Sequence, residues 1–148
     1  MTQNEIIEGS LPSGEPARAR VQVTRAHALV LLKLLAMDER YRNLRGVAHR
    51  AHDRQEARTH ADDIVAVMSA QTDLDEFRKR FARQFAEEIG LKERTKEIIK
   101  AYFADESRPG VILYEESLVS SLPPGETVRE LKGELRRAQR YVASLLLD

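Results

Sequence analysis

The sequence predicts an all-α protein, a helical bundle of five or six helices with a short irregular or strand-like segment admitted near 111–114. Three observations carry this. Apolar residues recur at spacings of three and four through most of the chain. Gly, Pro and N-capping side chains stand between those periodic runs. Beyond "VILY" (111–114), the strand candidates shrink to "RVQV" (20–23).

Residues 1–18 are rich in Ser, Gly, Pro and Glu and hold no sustained period, which predicts a flexible N-terminal tail before one helical domain over 19–148. A first helix is expected from about Ala19 to Arg45. Its apolar positions are Val23, Val30, Leu34, Met37, Tyr41 and Leu44, with His27 filling the gap and Leu31 and Leu35 widening the stripe. So wide a stripe places the helix centrally, and Gly46 marks its end or a kink. A second helix follows from Val47 to about Ala70. Its later turns supply Ile64, Val65, Val67 and Met68, but "HRAHDRQEARTH" (49–60) offers only Ala51 and Ala57.

Thr72 or Asp73 is placed to cap a third helix, with Glu76 in position to complete a capping box from Asp73. Leu74, Phe77, Phe81, Phe85 and Ile89 form its stripe, and Gly90 is its expected stop. Leu91, Thr95, Ile98, Tyr102 and Phe103 define a fourth helix, closed by the turn "ADESRPG" (104–110). Val111, Tyr114, Leu118 and Leu122 favour helix over strand for 111–122. Pro123, Pro124 and Gly125 then break the chain. Thr127 and Glu130 form a capping pattern, and Val128, Leu131, Leu135, Ala138, Val142 and Leu145 make a seam suited to packing along another helix.

The chain has 148 residues, with 24 basic against 24 acidic, and no cysteine. Disulfides, thiolate zinc sites and cysteine nucleophiles are therefore excluded. "MTQNEIIEGS" lacks the basic start and apolar stretch of a signal peptide. The most apolar run, "AHALVLLKLLAM" (26–37), contains Lys33 and is too short to cross a bilayer. A cytoplasmic location is the expectation. Charge is unevenly spread, because residues 17–60 hold ten Arg or Lys against four Asp or Glu. That surplus suits an acidic partner, a nucleic acid or a solvated face.

"SLPSGE" (10–15) returns as "SLPPGE" (121–126), and each precedes an aliphatic run. A true duplication would make the first and last helices symmetric counterparts. A compositional echo would leave them unrelated, since Pro-Gly turns draw on a small alphabet.

Two side-chain sets share the second helix. His49, His52, Asp53, Glu56 and His60 fall on one face at spacings that metal ligands in bundles use. A helical projection sets them to the side of Ala61, Ile64, Val65 and Met68, away from the buried position a metal centre needs, so no metal and no cofactor is predicted. The same projection puts Arg50, Arg54 and Arg58 on the apolar side, with Arg40, Arg42 and Arg45 just upstream. Arg42, Arg45, Arg50, Arg54 and Arg58 are the candidate binding residues, for carboxylates of a protein partner or, as the second reading, for phosphates of a nucleic acid. Residues 81–103 carry a weak helix-turn-helix pattern in which Lys96 occupies a position that wants an aliphatic side chain. No serine sits in a nucleophile elbow and no Gly-rich phosphate loop occurs. The expectation is a non-enzymatic interaction module, an adaptor, assembly subunit or regulator that self-associates. Nucleic-acid binding through 40–58 is the alternative and a divalent-metal bundle the third, with no membrane partner.

Overall fold

The computed structural model describes residues 2–43, 50–125 and 128–146. Two strands, β1 (Thr2–Ser10) and β2 (Pro16–Thr24), precede α1 (Ala26–Asn43), α2 (Arg50–Ser69), α3 (Leu74–Arg83), α4 (Ile89–Phe103), α5 (Pro109–Ser120) and α6 (Val128–Ala143). A short 3-10 turn, Ser144–Leu146, closes the described chain. The helices form the all-α bundle that the periodicity predicts. No helix among the described residues is long and apolar enough to cross a membrane.

The 1–18 stretch, expected as a tail, pairs instead with the start of the expected first helix. β1 and β2 form an antiparallel ladder from Thr2 opposite Thr24 to Ser10 opposite Pro16. "ARARVQV" (17–23) alternates apolar and polar residues strictly, a period of two that overrides the helical reading of 19–25. The turn closes through Leu11 N–H to Glu15 O (2.9 Å) and Gly14 N–H to Leu11 O (2.8 Å), with Gly14 at φ 86°. That left-handed backbone favours glycine. Gly125 takes the same conformation (φ 102°) between α5 and α6. The two echoing hexapeptides are thus one local solution used in a hairpin and in a helix connection. α1 and α6 do not pack as symmetric partners: α1 lies on α2, α3 and α4, while α6 lies on α2, α4 and α5. The echo is compositional.

α2 is the centre of the bundle, flanked by α1, α5 and α6. Val30, Leu31, Leu34 and Met37 of α1 meet Ala57, Ala61, Ile64, Val65 and Met68 of α2 in the core. The alanines explain the close approach of these two helices, since a small side chain lets a neighbour's backbone near. Asp73 caps α3 as expected, accepting from Glu76 N–H at 2.9 Å, while the Glu76 carboxylate accepts from Arg80.

α3 ends at Arg83. Turns with i→i+3 hydrogen bonds follow, from Phe85 N–H to Ala82 O and from Glu88 N–H to Phe85 O. Phe85 stays buried, edge-on to Phe81 at 5.3 Å, but Ile89 leaves the predicted stripe and is 76% exposed. Gly90, expected to stop α3, is the second residue of α4. Low helix propensity marks a boundary without saying on which side it falls.

The 111–114 segment is helical, which removes the strand-like option there. Pro109 opens α5, where a missing N–H costs nothing, and Gly110 lies so close to Phe103 and the Tyr102 carbonyl that no side chain fits. The α6 seam, Leu131, Leu135, Ala138 and Val142, is buried inside the fold. Gln139 Nε2 donates to the carbonyls of Phe103 (2.9 Å) and Ala104 (3.0 Å), satisfying groups left open at the end of α4. The predicted Gly46 break and the Thr127–Glu130 cap lie outside the described residues and side chains. α3 packs on α1 and the terminal 3-10 turn rather than across α4, so 81–103 is not arranged as a helix-turn-helix.

Candidate functional site

The arginines meet at the junction of α1, α2 and α4. Its anchor is Asp38, 2% exposed, one turn beyond Leu34 on the buried stripe of α1. Tyr102 Oη of α4 donates to Asp38 Oδ1 at 2.9 Å, and Arg42 Nε donates to the same oxygen at 2.9 Å. Arg94 Nη2 stands 3.7 Å from Asp38 Oδ2, an oxygen with no hydrogen-bond donor among the described residues. Burial, then the hydrogen bond to Asp38 and its charge, push the Tyr102 phenol above the ordinary tyrosine range. Tyr41 meets Tyr102 edge-on, with ring centroids 5.3 Å apart.

A cavity of about 720 Å³ opens beside this network, lined by Asp38, Tyr41, Arg42, Arg50, Arg54, Ala101 and Tyr102. Three of the five predicted binding residues, Arg42, Arg50 and Arg54, are thus brought together. Arg54 makes a two-pronged contact to Glu116 of α5, with Nε to Oε2 at 3.2 Å and Nη2 on Oε1. Arg58 does not join them; its guanidinium turns back to Gln55. Arg45 lies outside the described residues. Sequence reasoning missed Asp38 and Glu116 as partners and counted Tyr41 and Tyr102 only as core. The available signal was an acid on the α1 stripe with an arginine four residues on.

The His and acid set does not converge. Among the described residues no group of three or more His, Asp or Glu side chains is placed to hold a metal ion. Asp53, projected away from the core, is 6% exposed and continues the line of Ala57 and Ala61. Arg40 neutralises it, with Nη1 3.4 Å from Asp53 Oδ1 and Nε 2.6 Å from Glu56 Oε2. The buried arc of α2 is wider than its aliphatic residues alone indicate, because an ion-paired acid extends it. His52 is mostly exposed and reaches Glu56 at 3.1 Å. His60 is half-buried with Nδ1 unpartnered, and burial followed by Lys33 depresses its pKa. His49 lies outside the described residues. His27 is half-buried near Arg25 and Arg80, and desolvation lowers its pKa first.

The second exposed feature is the hairpin, whose packing is almost entirely strand on strand. The ladder sorts its side chains. Ile7, Gly9, Ala17, Ala19, Val21 and Val23 share one face with Gln3 and Glu5, whereas Glu8, Arg18 and Arg20 lie on the other with Ile6, Asn4 and Gln22. Arg18 pairs with Glu8 across that polar face at 2.8 Å. Ile7 is 57% exposed and Val23 39%, so the apolar face is uncovered. Comparison with protein-family models, with curated proteins and with solved structures finds no match for this chain.

Proposed function

We propose that the protein works as a non-enzymatic interaction module, and that its partner is a second copy of itself seated on the apolar face of the β1–β2 hairpin. The observation that carries this is the sorting of side chains along the ladder. Three charged residues stand with Ile6 on one face, and the other is apolar apart from Gln3 and Glu5; among the described residues no helix packs along that face beyond its Gln3 end. A two-stranded hairpin is marginal alone in water, and an uncovered apolar face makes it more so. Two such faces are self-complementary, as a twofold contact requires, and the Glu8–Arg18 pair stays in solvent.

Other features that suggested self-association are used inside the molecule. The α6 seam is buried and the polar start of α2 is tied down by Arg40–Asp53 and Arg54–Glu116. The hairpin keeps Ile7 and Val23 exposed on one continuous face. A ladder roughly 30 Å long and two strands wide covers a few hundred Å² per copy. A standard interface takes about 800 Å² per partner, so the dimer is reversible rather than obligate.

The absence of native cysteine makes the test direct. Ala19→Cys places a thiol on the apolar face and Gln22→Cys places one on the polar face. Under mild oxidation Ala19→Cys should form a covalent dimer at protein concentrations where Gln22→Cys does not. Equal cross-linking of the two, or none, contradicts the reading.

A further inference from the structure

We propose that the cavity between α1, α2 and α4 binds a phosphate-bearing ligand of nucleotide size, with the phosphate on Arg42, Arg50 and Arg54 and a flat ring against Tyr41. This site is separate from the hairpin, and neither proposal depends on the other.

The chemistry of the lining carries it. Arg42, Arg50 and Arg54 line the cavity together with Asp38, whose Oδ2 is sealed from solvent, and Glu116 stands behind Arg54. Guanidinium groups suit phosphate because their planar forks offer paired N–H donors. Two of the three are held in place by carboxylates behind them. Asp38 accepts from Arg42 Nε, and Glu116 takes Arg54. A side chain already fixed loses less freedom when a ligand arrives. Arg42 keeps 66% of its side-chain surface exposed and Arg54 46%, so both side chains stay within reach of a ligand while they hold their carboxylates.

The remaining walls decide the rest of the ligand. Tyr41 is half-buried and edge-on to Tyr102, and Ala101 in the same lining is small. Aromatic rings of this kind stack with planar groups without sequence preference. A volume of about 720 Å³ exceeds what inorganic phosphate needs and sits within the 300–1,000 Å³ common for small-ligand sites. Phosphate joined to a flat ring is the shared chemistry of a free nucleotide and of a nucleic-acid backbone with an unpaired base.

The test is calorimetric titration of the full chain with ADP, with inorganic pyrophosphate and with a single-stranded oligonucleotide. Saturable ADP binding is expected, at least tenfold weaker in Arg42→Ala and Arg54→Ala and unchanged in Arg58→Ala, whose guanidinium lies outside the cavity lining. Tyr41→Leu should reduce ADP binding towards that of pyrophosphate. Because Arg42 and Arg54 also join helices, Ala101→Glu is the second variant: it leaves both carboxylate contacts in place and should abolish binding. Oligonucleotide binding with the same dependence on Arg42, Arg54 and Ala101, and none on Arg58, supports the site and assigns its phosphate to a nucleic acid. No saturable binding of any probe, or an equal loss in Arg58→Ala, overturns the proposal.

Discussion

The Tyr102 hydroxyl donates to Asp38 Oδ1 at 2.9 Å, joining α4 to α1 through a hydrogen bond that is buried at both ends. The bond locks the wall of the arginine cavity, because the same oxygen holds Arg42.

Breaking that bond destabilises the bundle unequally from its two ends. Tyr102→Phe removes a donor but leaves Arg42 on Asp38, for a loss of about 1–2 kcal/mol. Asp38→Ala strands the Tyr102 hydroxyl and leaves Arg42 and Arg94 without their carboxylate, for about 2–4 kcal/mol. Urea unfolding of both single variants and the double variant should show a double-variant loss smaller than the sum.

Alkaline stability should report on two tyrosines. Burial and Asp38 raise Tyr102, and burial and Glu134 raise Tyr114, above the ordinary value. A raised folded pKa gives stability that is complete below the unfolded value, about 10, and is lost as pH climbs above it. Absorbance at 295 nm should show part of the phenolate signal arriving together with unfolding rather than before it. Tyr114→Phe should reduce that fraction.

On the acid side the histidines act in the opposite direction. Burial lowers His60 and His27, so the folded state resists their protonation. Their contribution is present above the unfolded value, about 6.5, and is lost as pH falls below it. Melting temperature should drop between pH 7.5 and 5.5, and His60→Gln should flatten part of that drop.

Two glycines should respond to alanine with opposite sign. A Cβ at Gly110 would lie 2.7 Å from both Phe103 Cζ and the Tyr102 carbonyl oxygen, so Gly110→Ala destabilises by about 1–3 kcal/mol. Gly133 is exposed inside α6 with nothing near its Cβ position, so Gly133→Ala stabilises by about 0.5–1 kcal/mol. Thermal unfolding of the two variants decides the matter.

What sequence makes legible here is local. The Asp73 cap and the α6 seam need only neighbouring residues, and the structure has them, whereas α5 begins at Pro109, inside the stretch 104–110 that reads as a turn. "RVQV" alternates and forms part of β2, but β1 contains Ile6 and Ile7 side by side and shows no period of its own. It becomes a strand by pairing with β2, a relation no window along the chain contains. Asp53 is buried for a similar reason. Its charge argues for solvent until Arg40, thirteen residues earlier and on another helix, is placed beside it. The row of Arg50, Arg54 and Arg58 was visible as spacing. Which of them face the cavity was settled by Glu116 and Gln55, partners that spacing does not supply.

Self-association through the hairpin is read from the mass of the protein in solution. Light scattering of the full chain over a hundredfold concentration range should rise from one chain towards two. Val21→Asp should stay at one chain with an unchanged melting temperature, because Val21 belongs to the uncovered hairpin face and not to the core. A single-chain mass for the native sequence throughout that range, or a Val21→Asp variant that dimerises equally well, contradicts it.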